Sequence, residues 1–223
     1  NGADLQPLLL GGRMTKKYKS SYYNSGGVYK TRHSPPSNAK TKACQLWENI
    51  KNRCEYLPYK DPVRFANYID VDCCPEWKDF QNFAQWFESV VENGYFHEGW
   101  HLDKDLLVKN NKIYSPATCV FLPEGINKAL STRSGDRGKF PAGLCYGKFS
   151  KALGEMTLQV TFSCKHPDFY LKTVVPISRL EEGFKMYKDA RESYIRYLAG
   201  VHKEQLDPRA YDALMKYEIT MED

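Results

Sequence analysis

Apolar residues recur at helical spacing in three stretches of the chain. Leu46, Trp47, Ile50 and Cys54 predict a helix over 43–56, ended by Pro58. Trp77, Phe80, Phe83, Ala84, Phe87 and Val91 fall on one face of a second helix over 76–93, with Gly94 as its stop. An aromatic stripe at that spacing is a core face before it is a base-stacking platform. A third helix, over 178–203, is built on Leu180, Phe184, Tyr187, Tyr194, Leu198 and Val201, and Ser178 with Glu181 has the form of a capping box. Elsewhere the period changes to two. Residues 101–108 and 113–122 read as a hairpin about the polar turn Lys109-Asn110-Asn111-Lys112, and 142–148, 156–162 and 168–174 as three short strands. A short helix over 208–215 and a last strand over 217–220 close the pattern. The expected fold class is α+β: a small helical and hairpin unit, then a three-stranded antiparallel sheet packed on one long helix, with the other sheet face left free.

Composition narrows the class. With 223 residues, 42% hydrophobic and 14% aromatic, there is apolar surface for one large domain or two small ones. A mean hydropathy of −0.61 and the lack of any run near about 18 apolar residues exclude a bundle of membrane spans. Collagen, coiled coil and full disorder are excluded as well. The first 30 residues show no secretory leader, so an intracellular protein is expected, with no membrane partner. Seven cysteines, an odd number without C-x-x-C spacing, read as reduced and mostly buried thiols. A four-cysteine site assembled in three dimensions stays open at this point.

Charge divides the chain more sharply than its net +5 conveys. Residues 14–42 carry +7, 43–126 carry −5, 127–175 carry +5 and 176–223 carry −2. Two basic zones flank an acidic middle. The bland reading is solvated surface; the sharper one is a polyanion footprint, because Lys and Arg that replace phosphate counterions gain free energy from counterion release. Residues 1–13, NGADLQPLLLGGR, fit nothing that follows and are expected to be an added leader. Residues 14–42, rich in Ser, Gly, Pro, Asn, Tyr and Lys, are expected to be a basic flexible arm with one short strand at 27–30. The remainder divides into units at 43–130 and 131–223.

Several motifs resemble a known family when taken in order. The W-x(5)-R-C helix (Trp47, Arg53, Cys54), the helix EWKDFQNFAQWF, the segment HLDKDLL and the run YSPATC resemble small phage proteins of the HNH homing-endonuclease type, over about residues 43–127. Residues 137–201, with Gly143-Leu144 and Glu181-Glu182-Phe184-Tyr187, look like the ethylene-response-factor-like DNA-binding domain that such nucleases carry, three strands laid in the major groove and backed by a helix. The first resemblance implies a His-Me-finger-like unit, a His general base in a D-H pair, an Asn that fixes the loop, and one divalent metal.

Residue by residue, the implied chemistry is incomplete. The D-H position reads Asp103-Lys104, and the Asn after the proline is replaced in Pro116-Ala117-Thr118. A lysine of pKa about 10.4 does not accept a proton at neutral pH. Two alternatives stay open: His101, Asp103 and Asp105 share a strand face by period-two alternation and hold Mg2+ or Mn2+, or the two aspartates brace the hairpin while Lys104 and Lys109 meet phosphate. The leading expectation is a sequence-specific double-stranded-DNA-binding protein without cleavage, acting as a regulator such as a transcriptional repressor in the nucleoid of a bacterial host cell, with no cofactor. A metal-dependent nicking endonuclease and a plain protein-interaction module are the alternatives. Lys16, Lys17, Lys19, Lys30 and Arg32 of the arm, and Arg133, Arg137, Lys139, Lys148, Lys151, Lys165 and Lys172 of the sheet unit, are the expected DNA contacts, with Arg137 the choice for guanine. Whether a homodimer forms is left open.

Overall fold

Thr41 lies extended, and its hydroxyl accepts the backbone N–H of Cys44 at 3.3 Å, which starts helix α1 (Lys42–Lys51). The structure, a computed structural model, describes residues 20–131, 139–164 and 166–222. Helix α1 buries Ala43, Cys44, Trp47 and Ile50. Pro58 does not end the helical run, as the sequence suggests. The chain widens into a π-helical turn over Asn52–Tyr56 and resumes as α2 (Leu57–Lys60). Pro58 sits in the first turn of that resumed helix, where its missing N–H has no partner to lose.

Strand β1 (Asp72–Cys73) and a 3-10 turn over Pro75–Lys78 precede α3 (Phe80–Glu92). The second expected helix is therefore shorter at its start, because extended Asp79 caps it by accepting the N–H of Gln81 at 3.1 Å. Trp77, Phe80, Phe83, Ala84 and Phe87 are buried as their spacing implies, whereas Val91 is 40% exposed. Gly94, at φ +75°, stops the helix: its N–H donates to Val91 at 2.9 Å and that of Tyr95 to Val90 at 3.0 Å, a Schellman closure.

Residues 20–42 are not a loose arm. Ser20 and Ser21 donate to the Glu55 carboxylate at 2.5 to 2.8 Å, and Tyr22 is buried with its ring 5.6 Å from that of Trp47. The Gln81 side chain accepts the N–H of Tyr29 at 3.1 Å and donates to its carbonyl at 3.0 Å. In place of the strand expected at 27–30, residues 31–41 close on themselves: His33 donates to Ala39 at 2.9 Å and Thr41 to Thr31 at 3.0 Å.

The hairpin is wider than expected. Strand β2 (His101–Asp103) pairs antiparallel not with β3 (Ile113–Tyr114) but with β4 (Val120–Leu122), while β3 runs parallel to β1. Helix α4 (Glu124–Leu130) follows, a short element whose start at Pro123 carries no capping side chain and whose second residue is Gly125, so no helical signal marks it. Ile126, on α4, is completely buried.

Strands β5 (Leu144–Ser150), β6 (Glu155–Phe162) and β7 (Leu171–Pro176) form the antiparallel sheet in the order β5-β6-β7. Gly147 and Lys148 together oppose Thr157, a bulge fixed by the Thr157 hydroxyl donating to the Lys148 carbonyl at 2.7 Å. Leu144, Leu158, Val160 and Val175 face helix α5 (Leu180–Val201) and are buried. The capping box does not form: Ser178 instead bonds Glu155, by its N–H at 3.1 Å and its hydroxyl at 3.0 Å. Helix α6 (Pro208–Met215) is capped by Asp207, which accepts the N–H of Arg209 at 2.8 Å.

The division at 130/131 does not separate two cores. Val120, Leu122 and Ile126 from the hairpin unit pack in one cluster with Ile195 and Ala199 of α5 and Leu214 of α6. Arg191 of α5, 4% exposed, ties the same junction by donating from Nε and Nη2 to the Ala129 carbonyl at 3.0 and 2.8 Å. No described helix is long and apolar enough to cross a membrane.

No strand forms over 217–220; Ile219 is instead held on α5 by donating its N–H to Glu192 at 2.8 Å. Glu192 also meets Lys188 at 2.8 Å and Arg196 at 3.0 Å. Burial pushes its carboxyl up, but the hydrogen bonds from Lys188, Ile219 and Arg196 outweigh that and hold it below the usual glutamate range. A carboxylate so shifted contributes stability above its unfolded value, and that contribution is lost as pH falls through the lowered folded value. Glu192→Gln is expected to cost about 1–3 kcal/mol at neutral pH. Denaturant titrations should show the gap between wild type and variant narrowing once pH falls below about 4.3.

Candidate functional site

Alternation along β5–β7 sends one set of side chains to α5 and the other outward, where Thr157 is buried at the bulge and most of the others are exposed. Register places Cys145, Gln159 and Val174 in one row across the three strands, and Thr161 beside Lys172 in the next. All five are exposed. Lys148, at the bulge, and Lys151, in the turn after β5, are exposed at one end, and Lys139 is exposed just before the sheet. Glu155, the carboxylate at that end, is engaged by Ser178. The expected sheet cations Lys139, Lys148, Lys151 and Lys172 thus lie on or beside one polar, positively charged face. Lys16, Lys17, Lys19, Arg133, Arg137 and Lys165 lie outside the described residues.

The first basic zone supplies less than its charge suggests. Arg32 is exposed but donates to the Asn38 carbonyl at 2.7 Å within its own loop, Lys40 pairs with Glu48, and Lys42 meets Glu98 at 2.6 Å. Lys30 remains an exposed cation of the described segment.

At the hairpin the candidate metal ligands are not brought together. The Asp103 carboxylate accepts the N–H groups of Asp105 and Leu106 at 2.9 and 2.8 Å, an Asx-type turn that carries the chain out of β2. Burial raises its pKa, with the two N–H donors opposing. Asp105 pairs with Lys104 instead of sharing an ion, and His101 meets the Asn127 amide of α4 at 3.3 Å. No group of three His, Cys, Asp or Glu among the described residues is arranged to hold a metal. The donor set therefore does not fit the Mg2+ or Mn2+ ion that the HNH resemblance implies.

Lys104 is not a phosphate contact. Only 8% exposed, it salt-bridges Asp105, donates to the Asn111 carbonyl at 2.8 Å and lies over the Tyr114 ring. Asn111 answers by donating to the Lys104 carbonyl at 2.9 Å and to that of Ile113 at 2.7 Å, so lysine and asparagine together close the loop between β2 and β3. Asn127 and Asn111 are site residues that the pattern of the sequence did not single out. Their spacing from His101 and Lys104 carries no periodic signal.

The thiols of the α1–α3 core are held protonated by their surroundings. Burial, above all, pushes Cys54 up to about 11 and Cys119 up to about 12, and the described cysteines are all free. A cavity of about 660 Å³ lies between α4, the end of β6 and α5. Its buried cation, Arg191, is already bonded to the Ala129 carbonyl and to the Tyr187 hydroxyl, and the rest of its lining mixes Ala142 and Phe162 with Glu124, Lys128 and Ser163. No family model, curated protein or solved structure matches the chain.

Removing Asp103 tests whether it builds the turn. Asp103→Ala is expected to lose about 0.5–2 kcal/mol, the size of a lost cap, whereas Asp103→Asn keeps an acceptor oxygen and most of that stability. Lys104→Met should lose about 1–3 kcal/mol by stranding the Asn111 carbonyl. Equilibrium urea unfolding reads all three; a Lys104→Met protein as stable as wild type would show that the lysine is not structural.

Proposed function

We propose that the protein binds double-stranded DNA in a sequence-specific manner and occupies its site without cutting it, acting as a regulator in the way a transcriptional repressor does, in the cytoplasm of a bacterial host. The observation that carries this reading is the exposed face of β5–β7: a central row of Cys145, Gln159 and Val174 flanked by Lys148, Lys151 and Lys172, with Glu155 at one end hydrogen-bonded by Ser178. Three strands about 4.8 Å apart make a face roughly 10 Å across, close to the about 12 Å width of a major groove. Cations held around a polar centre suit the division in which phosphate contacts position a protein and base edges specify its site. The resemblance of the ordered motifs to those of phage homing endonucleases, and of the sheet and helix to the domain such proteins carry, is in keeping with the same reading.

Retention of the DNA strand is supported by the hairpin. The position that the HNH resemblance assigns to the general base is held by a buried lysine, and the neighbouring carboxylates serve a turn and an ion pair. Incubating the protein with bound supercoiled DNA and Mg2+ or Mn2+ should leave the DNA supercoiled; accumulation of nicked circles would reverse the assignment.

Replacing Lys148, Lys151 and Lys172 together by Gln should weaken binding to all duplexes and lower the slope of log K against log salt by about 0.9 per phosphate contact removed. Lys104→Met should leave that slope unchanged. Fluorescence anisotropy over a salt series measures both, and an unaltered slope in the triple variant would remove the sheet as the binding face.

A further inference from the structure

The proposed DNA face has an unusual chemistry at its centre. From Lys139 to Pro176 the chain contains no arginine, so no planar guanidinium fork is available on the sheet for the O6 and N7 of guanine. Its lysines sit at the margin. The central row is Cys145, Gln159 and Val174, aligned across the three strands, with the Thr161 methyl in the adjacent row. Val174 is 57% exposed, a β-branched apolar side chain that would otherwise face water in the middle of a charged surface. The Cys145 thiol reaches the Gln159 carboxamide oxygen at 3.9 Å, a weaker donor than an adenine amino group would be.

These groups have a common complement in the major groove. A glutamine carboxamide matches adenine in a bidentate fashion, accepting from N6 and donating to N7, and the methyl groups of Val and Thr match the C5-methyl of thymine. We infer that the base pairs under the centre of the sheet are A·T, with Gln159 reading adenine and Val174 and Thr161 packing on thymine methyls. The inference rests on the DNA-binding reading above and adds to it the identity of the bases. It also moves specificity away from Arg137 and from guanine.

Uracil substitution tests it directly. Duplexes selected by the wild-type protein from a random library are resynthesised with uracil for thymine, which preserves pairing and removes only the methyl group. Affinity should fall about fourfold per contacted methyl, from roughly 0.8 kcal/mol for each buried carbon. Gln159→Ala should lose about 5- to 150-fold on the selected duplex and little on random DNA, and that random-DNA affinity doubles as the check that the variant is folded. Val174→Ala should bind the thymine and uracil duplexes more equally than wild type does. Selected sites rich in G·C, or equal affinity for thymine and uracil duplexes with Gln159→Ala unchanged, would overturn the inference while leaving DNA binding intact. Failure of the wild-type protein to bind any duplex at low salt would overturn the DNA-binding reading itself, and this inference with it.

Discussion

A guanidinium buried without a carboxylate partner among the described residues decides how the two halves of the molecule meet. Arg191 donates to the Ala129 carbonyl in the last turn of α4 and to the Tyr187 hydroxyl at 2.7 Å, and lies 5.9 Å from the Tyr187 ring centre. The adjacent Glu192 is engaged by Lys188, Arg196 and the Ile219 N–H. Desolvating a cation costs several kcal/mol, so these bonds cannot be left unmade. The C-terminal end of a helix is the favourable place to make them, since its carbonyls carry the negative end of the dipole. Arg191 therefore fixes α4 on α5, and α4 carries the β2–β4 hairpin with it.

Helix α5 is long because it serves two cores. Its first half lies so close to the sheet that a Cβ on Gly183 would stand 2.9 Å from a Val175 methyl and 3.1 Å from one of Val160. Close approach by one helix lets Phe184 and Tyr187 cover the inner face. At the edge, Gly143 holds φ +80° against the Tyr187 ring, where any Cβ would overlap it. The second half of α5 places Ile195 and Ala199 against the hairpin and α6. With the inner face filled by one helix, the outer face needs no apolar residues for stability, and its composition is free to serve another purpose.

How much of this was legible in the sequence depends on the range of each interaction. Alternation located β5–β7 to within two or three residues, because each strand shows its buried face by period two, and the aromatic stripe of α3 was visible for the same reason at period 3.6. The docking of residues 20–42 left no such trace. Their composition reads as a loose arm, yet their partners Glu55, Asp79 and Gln81 lie 34 to 54 residues away in sequence. The parallel β1–β3 pair, two residues long on each side, is equally silent. Lys104 was misread most, since a lysine beside two aspartates in a basic-acidic segment looks like surface; only the loop closed by Asn111 buries it.

The same accounting of hydrogen bonds separates the two candidate sites. Polar groups already satisfied inside the fold have little to offer a ligand, because binding one means breaking what they hold. At the hairpin, Asp103 serves two backbone N–H groups, Lys104 serves Asp105 and Asn111, and His101 meets Asn127. It also sits in the −5 zone, whose excess carboxylates repel phosphate. The sheet is the reverse case. Lys148, Lys151 and Lys172 stand exposed in the +5 zone, and Glu155, at the end that holds the first two, is hydrogen-bonded by Ser178. On the proposed reading, a polyanion would meet less repulsion at the sheet than at the hairpin, because charge and free hydrogen-bonding capacity coincide on the first surface and are both spent on the second.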